Sequence, residues 1–109
     1  NVLEVVRSRM AEQGLTLLNK EMTPPHHVPG DSKFVKTLLA AFEMYTGRKG
    51  KCQSMGGGPY VHNRKHGVAF GAAMPETDNK MHGPDEFAVV DELVVSAKIF
   101  AQAIVDLCK

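Results

Sequence analysis

The chain has 109 residues, of which 43% are hydrophobic, so it is long enough for one small domain and too apolar for a disordered segment. Its 13 basic and 12 acidic residues give a net charge of +1, which leaves no electrostatic case for nucleic acid or an anionic membrane as a partner. Two cysteines are too few for a disulfide scaffold and no apolar run is long enough to span a membrane, so we expect a cytoplasmic protein.

The first 30 residues predict a helix, a strand and a linker. Apolar residues recur at helical spacing over residues 2–13, and Gly14 is placed to end that helix. The recurring positions are Val2, Leu3, Val6 and Met10. Residues 15–22 alternate as in a strand. Three prolines between residues 23 and 30 exclude regular structure there, so this segment is a linker or a crossover between two packed units.

The middle of the chain predicts a helix and two short strands. Asp31 and Ser32 form a credible helix cap, and Gly47 closes the apolar stripe that follows them. That stripe consists of Phe34, Val35, Leu38, Leu39, Phe42 and Tyr45. Residues 51–54 and 68–71 are strand candidates, and Pro59 suits the first position of a helix between them.

The last part predicts a long polar loop over residues 72–86 and a final helix capped by Asp91. We expect its buried stripe to consist of Leu93, Ala97, Phe100, Ile104 and Leu107. Strands separated by helices favour an α/β architecture.

A glycine triplet, Gly56, Gly57 and Gly58, follows the first of these strand candidates. Glycines leave the backbone bare, and a helix beginning at Pro59 would point free N–H groups into the same space. This combination favours an anion such as a carboxylate, a phosphate or a developing oxyanion. The spacing fits neither a Walker loop nor a dinucleotide fingerprint. A flexible turn is the alternative reading.

His82 is the second candidate, in a loop whose next acidic residues are Asp85 and Glu86. A carboxylate behind a metal-binding imidazole commonly fixes its tautomer, which favours a metal-ligand loop. The alternative is a surface histidine beside a turn. One histidine cannot make a zinc site, because catalytic zinc takes three protein ligands.

The other histidines are weaker candidates. His26 and His27 are adjacent in an extended segment, so their side chains point in opposite directions. His62 and His66 flank two basic residues, which indicates a solvated turn or helix end.

Several segments, taken in order, resemble a known family. These are residues 28–32 with the helix that follows, SMGGGPY at 54–60, GVAFG at 67–71, MHGPDEF at 81–87 and AQAI at 101–104. Together they resemble the C-terminal part of a PepV-type dipeptidase, a member of the co-catalytic zinc aminopeptidase/aminoacylase superfamily. The resemblance spans nearly the whole chain.

The resemblance implies an α/β fold: part of a mixed-sheet zinc-peptidase catalytic domain, with helices packed on the sheet, plus the last helix and strand of an α+β lid domain. Residues 1–22 would belong to the lid, 23–30 to a crossover linker and 31–109 to the catalytic domain. The chain also starts without Met inside a helical pattern, so we expect a piece of a longer protein.

The resemblance also assigns roles. His82 would bind one ion of a two-zinc centre, Asp85 and Glu86 would stand behind it, and the backbone of Gly56, Gly57 and Gly58 would face a dipeptide or short-peptide substrate. In that family a glutamate activates a metal-bridging water that attacks the peptide carbonyl. That glutamate, the lid arginine and the other zinc ligands precede this part of the sequence, so no catalytic residue is expected in this chain, and the chain alone should be inactive.

Two positions depart from the family pattern. Pro59 stands where Thr is usual, and His62 stands where Arg is expected. Two other functions stay open: a non-catalytic anion-binding or interaction module, and a relative that acts on another amide such as an acylated amino acid. A fragment would also expose apolar faces, so a dimer or an aggregate is expected.

Overall fold

The regular structure of the described residues is helical. The computed structural model describes residues 1–18, 23–57, 60–71 and 73–109. In that part of the chain the elements are α1 (Val2–Glu12), α2 (Lys33–Thr46), one 3₁₀ turn (Tyr60–Asn63) and α3 (Val90–Leu107).

The predicted α/β class, with its mixed sheet and its lid strand, is wrong for this structure, since none of the described residues belongs to a β-strand. The candidates at 51–54 and 68–71 have no regular structure. A strand exists only where a neighbouring segment completes its hydrogen-bond ladder, and sequence alternation cannot supply that neighbour. Of the candidate at 15–22, residues 15–18 are irregular and 19–22 lie outside the described residues.

Helix α1 confirms the helix predicted over residues 2–13. Asn1 caps it, because the Asn1 Oδ1 accepts the Leu3 N–H at 3.1 Å. Gly14 follows the helix with a φ of +70°, the left-handed conformation that favours glycine. None of the residues in α1 is buried. Local capping therefore defines this helix, and packing contributes little to it.

Helix α2 has both of its predicted ends. The Ser32 Oγ accepts the Val35 N–H at 3.3 Å, as an N-cap serine should. Gly47, with a φ of +66°, donates its N–H to the Glu43 carbonyl at 2.9 Å and ends the helix.

The hydrophobic core lies between α2 and α3. Ala41 and Ala103 are 1% and 3% exposed, and such small side chains let two helices approach closely. The other buried members are Leu38, Met74 and Ile99. Half-buried side chains surround this cluster, namely Phe34, Phe42, Val68, Phe70 and Val95. The segment after the glycines is thus attached to the helical pair by Val68 and Phe70.

The predicted face of α3 is wrong. The buried residues of the helix are Ser96, Ile99 and Ala103. The expected stripe is largely exposed, with Leu93 at 48%, Ile104 at 61% and Leu107 at 43%. Helix α3 is apolar on both faces, so a helical period alone cannot select the face that packs.

The predicted cap of α3 also differs from the structure. Val89 is the N-cap residue and provides no side-chain hydrogen bond. Asp91 instead lies in the first turn, where its negative charge meets the positive end of the helix dipole.

The molecule is elongated. Its radius of gyration is 18.8 Å, whereas a compact chain of this length has a value of about 13 Å. Its principal extents are 55 × 36 × 20 Å. None of the helices in the described part of the chain is long and apolar enough to cross a membrane.

Candidate functional site

The predicted substrate-facing glycines begin in an exposed, irregular segment. A Cβ built on Gly56 or Gly57 would meet no atom within 4 Å, so packing does not explain these glycines. Gly57 has a φ of +129°, which L-residues rarely adopt. Gly58 and Pro59 lie outside the described residues. The first two glycines therefore border open space, where another molecule can approach their backbone.

The helix predicted to begin at Pro59 is, in the described part, one 3₁₀ turn of four residues, Tyr60–Asn63. Arg64 continues it by donating its N–H to the Val61 carbonyl at 2.8 Å. A turn of four residues aligns too few peptide dipoles to produce a substantial macrodipole. An anion at the glycines would therefore depend on individual backbone N–H groups.

His82 lies in a loop closed by backbone hydrogen bonds. The Phe87 N–H donates to the Asn79 carbonyl at 3.2 Å, which joins the two ends of the loop. Inside it, the Gly83 N–H donates to the Lys80 carbonyl at 2.7 Å. A Cβ at Gly83 would lie 3.0 Å from that same carbonyl oxygen, so a larger residue there would require the turn after His82 to shift by a few tenths of an ångström.

The backbone of this loop is strained. Lys80, His82 and Asp85 have φ values of 56°, 64° and 59°, although none of them is glycine. Each such residue costs on the order of 1–3 kcal/mol, and clusters of them are typical of ligand-binding segments. The Asp78 and Asn79 side chains accept the N–H groups of the two residues after them at 3.1 and 3.2 Å, which helps to hold this conformation.

One acidic residue of the loop, Glu86, contacts the backbone of His82. The Glu86 Oε2 accepts the His82 N–H at 3.4 Å, a long hydrogen bond, and Asp85 is exposed. Glu86 therefore stabilises the turn that presents His82. The role expected for Asp85 and Glu86 in orienting the imidazole stays a prediction.

The residues in the described ranges do not fit a zinc site by themselves. No group of three His, Cys, Asp or Glu side chains there is arranged to hold a metal ion. His82 is exposed and is one nitrogen ligand at most. Zinc needs four ligands in a tetrahedron, so further ligands would have to come from outside the described residues.

A shallow pocket of about 110 Å³ lies between the base of this loop and the start of α3. Its lining includes Thr77, Phe87, Glu92 and Leu93. The Thr77 hydroxyl donates to the Glu92 Oε1, which ties the loop to α3. Ligand pockets measure roughly 300–1,000 Å³, so this one is too small to enclose a dipeptide. No local pattern in the sequence indicates the Thr77–Glu92 contact.

His26 has a role that the sequence did not predict. Its Nε2 lies 2.7 Å from the Gly67 carbonyl oxygen, across 41 positions of sequence. From the sequence we inferred only that the adjacent His26 and His27 side chains point in opposite directions, and no local pattern could have located a partner so far along the chain.

Asp106, near the end of α3, has a lowered pKa. The Gln102 amide donates to its carboxylate at 2.8 Å and the Lys109 ammonium at 3.0 Å. These two donors lower the pKa of Asp106 from its ordinary value of 3.8.

Comparison with curated proteins found relatives named as dipeptidases. The chain is 42% identical over 85 residues to the "Putative dipeptidase YtjP" of Bacillus subtilis (strain 168) and to the Beta-Ala-Xaa dipeptidase of Lactobacillus delbrueckii subsp. lactis. Each of these matches covers 78% of this chain and 18% of the relative. A Staphylococcus epidermidis protein with a dipeptidase name is 33% identical over 108 residues, which cover 99% of this chain and 23% of the relative. These relatives support a dipeptidase family.

The chain spans about a fifth of the length of the curated relatives it matches. No family model matches it, and neither does any solved structure. The zinc dependence and the PepV type expected from the resemblance stay predictions.

Proposed function

We propose that this chain is the C-terminal part of a cytoplasmic zinc-dependent dipeptidase that hydrolyses short peptides. The observation that carries the proposal is the 42% identity to the Beta-Ala-Xaa dipeptidase over 78% of the chain. In this proposal the whole protein, rather than these 109 residues, is the enzyme. The chain is about a fifth of the length of its relatives, and the described residues include no group of three possible metal ligands.

In the proposed enzyme His82 binds one of two zinc ions. Two features of the loop support this role: the imidazole is exposed, and the backbone that carries it is held in a strained, hydrogen-bonded turn. Asp85 and Glu86 are proposed to orient the imidazole of this ligand by hydrogen bonding. Bound zinc would supply Lewis acidity to the site, as it does in other hydrolases.

The glycines are proposed to receive the peptide. Gly56, Gly57 and Gly58 would offer backbone N–H groups to the terminal carboxylate or to the scissile carbonyl of the substrate. The open space beside Gly56 and Gly57 supports this role, because no protein atom competes for it in the described part of the chain. Residues 1–22 are proposed to belong to a lid domain, 23–30 to a crossover and 31–109 to the catalytic domain.

The proposal is tested by His82→Ala in the whole protein, with His66→Ala as the matched control, since His66 is also exposed. We expect His82→Ala to reduce dipeptide hydrolysis by at least about 100-fold, because groups that only orient a metal ligand are already worth about 10- to 100-fold. Bound zinc should fall, and His66→Ala should retain both zinc and turnover.

Unchanged zinc content and unchanged turnover in His82→Ala would refute the ligand assignment. Hydrolysis of acylated amino acids in place of dipeptides would identify a relative that acts on another amide. A wild-type whole protein that hydrolyses neither would favour the non-catalytic anion-binding module.

A further inference from the structure

The linker before α2 is bonded to the segment that follows the glycines. The His26 Nε2 lies 2.7 Å from the Gly67 carbonyl oxygen, and the contact is half-buried. A carbonyl oxygen can only accept, so Nε2 must carry the hydrogen and donate it. Because that nitrogen is already used as a donor, it is not free to bind a metal in this conformation.

Gly67 is in turn packed tightly on the 3₁₀ turn. A Cβ at Gly67 would collide with the Val61 side chain and would lie 3.0 Å from the Arg64 Cβ. The Gly67 N–H also donates to the Arg64 carbonyl at 3.2 Å. The bond from His26 therefore acts on a residue that cannot move independently of the turn after the glycines.

The same linker also contacts the chain on the other side of these glycines, before Gly56. A Cβ at Gly30 would lie 3.0 Å from the Cys52 Sγ, so the two segments are in close contact there. Cys52 lies four residues before Gly56 in the sequence. Two points of one short linker thus contact the chain before and after the glycines.

We propose that His26 is a positioning residue for the backbone of Gly56 and Gly57. His26 donates from Nε2 to the Gly67 carbonyl and so restrains the chain after these glycines, while Gly30 of the same linker lies against Cys52 before them. Together the two contacts set the direction in which Gly56 and Gly57 face a peptide. The inference rests on the proposed function for the identity of what the glycines bind. The restraint itself is a property of these 109 residues.

The restraint is tested by NMR on the full 109-residue chain with two variants. His26→Gln keeps an amide donor at about the position of Nε2, whereas the shorter His26→Asn cannot reach Gly67. We expect the backbone order parameters of Gly56 and Gly57 to fall in His26→Asn below about 0.6, the flexible range, and to be retained in His26→Gln. His27→Asn, at the exposed neighbouring histidine, is the control and should change neither glycine.

The order parameters of α2 and α3 should remain near about 0.85 in every variant, which shows that the helical pair is intact. Equal effects of His26→Asn and His27→Asn, or no effect of His26→Asn on Gly56 and Gly57, would overturn the proposal. An equal loss in His26→Gln would also overturn it, because that variant preserves the donor.

The functional consequence is tested in the whole protein. In His26→Asn we expect KM for a dipeptide to rise about fivefold, the scale of one hydrogen bond, with kcat changed less than about twofold. His26→Gln should restore KM. A fall in kcat at constant KM would contradict a positioning role. If the wild-type protein hydrolyses no dipeptide, the proposed function fails, and the NMR result alone decides whether His26 positions the glycines.

Discussion

Individual residues in the His82 loop hold conformations that their side chains disfavour. Lys80, His82 and Asp85 are all left-handed, and none of them is glycine. The sequence identified His82 and its acidic neighbours by residue type and order. It could not predict their backbone angles, because these depend on the hydrogen bonds that close the loop, such as Phe87 to Asn79. Strain retained at such positions is typical of segments kept for function.

A glycine at position 82 should therefore stabilise the chain while removing the proposed ligand. His82→Gly relieves a left-handed Cβ that costs roughly 1–2 kcal/mol, although glycine's freedom in the unfolded state offsets part of the gain. We expect the free energy of unfolding, from urea titration followed by circular dichroism, to rise by up to about 1 kcal/mol. His82→Ala keeps the Cβ and should stay within about 0.5 kcal/mol of the wild type. A His82→Gly variant less stable than His82→Ala would show that the loop is not strained.

Asp106 should make the stability of the chain depend on pH. Its folded pKa is lowered by the Gln102 amide and then by Lys109, so its stabilising effect is present above the unfolded pKa and is lost as the pH falls through the folded one. We expect the Tm of the wild type, measured by thermal unfolding, to exceed the Tm of Asp106→Asn at neutral pH. The difference should shrink as the pH falls below the ordinary value of 3.8. A difference that stays constant down to acid pH would exclude this carboxylate as its source.

At the scale of elements, local signals were readable and non-local ones were not. The ends of α2 follow from Ser32 and Gly47, whose effects act within one turn of the helix. The predicted strands failed because a ladder needs a distant partner. The prediction of which face of α3 packs was wrong for a similar reason. Apolar residues cover both faces of the helix, and only contact with α2 selects the face with Ile99 and Ala103.

Two isoleucines on α3 provide a matched test of that face. Ile99 is 4% exposed in the core, whereas Ile104 is 61% exposed. Ile99→Val removes one buried methylene and should lower the free energy of unfolding by about 0.5–1.5 kcal/mol. Ile104→Val should change it by less than about 0.5 kcal/mol. Urea titration of both variants would contradict the observed packing if Ile104→Val were the more destabilising.

The molecule is elongated, with a small core between two of its helices, and the described parts of its two candidate site segments are exposed. The resemblance in the sequence led to dipeptidases, and the curated relatives support that family. The sequence identified the glycines and His82 as candidate site residues because they lie in short motifs. It could not reveal the bond from His26 to Gly67, since a contact across 41 positions leaves no local pattern.

We propose that these residues are one part of a dipeptidase site whose remaining groups lie elsewhere in the whole protein. Dipeptide hydrolysis in the presence of zinc, measured side by side for the purified 109-residue chain and for the whole protein, tests it most directly. We expect turnover by the whole protein and none by the 109-residue chain. Zinc-dependent hydrolysis by the chain alone, or a whole protein that cleaves no dipeptide, would contradict it.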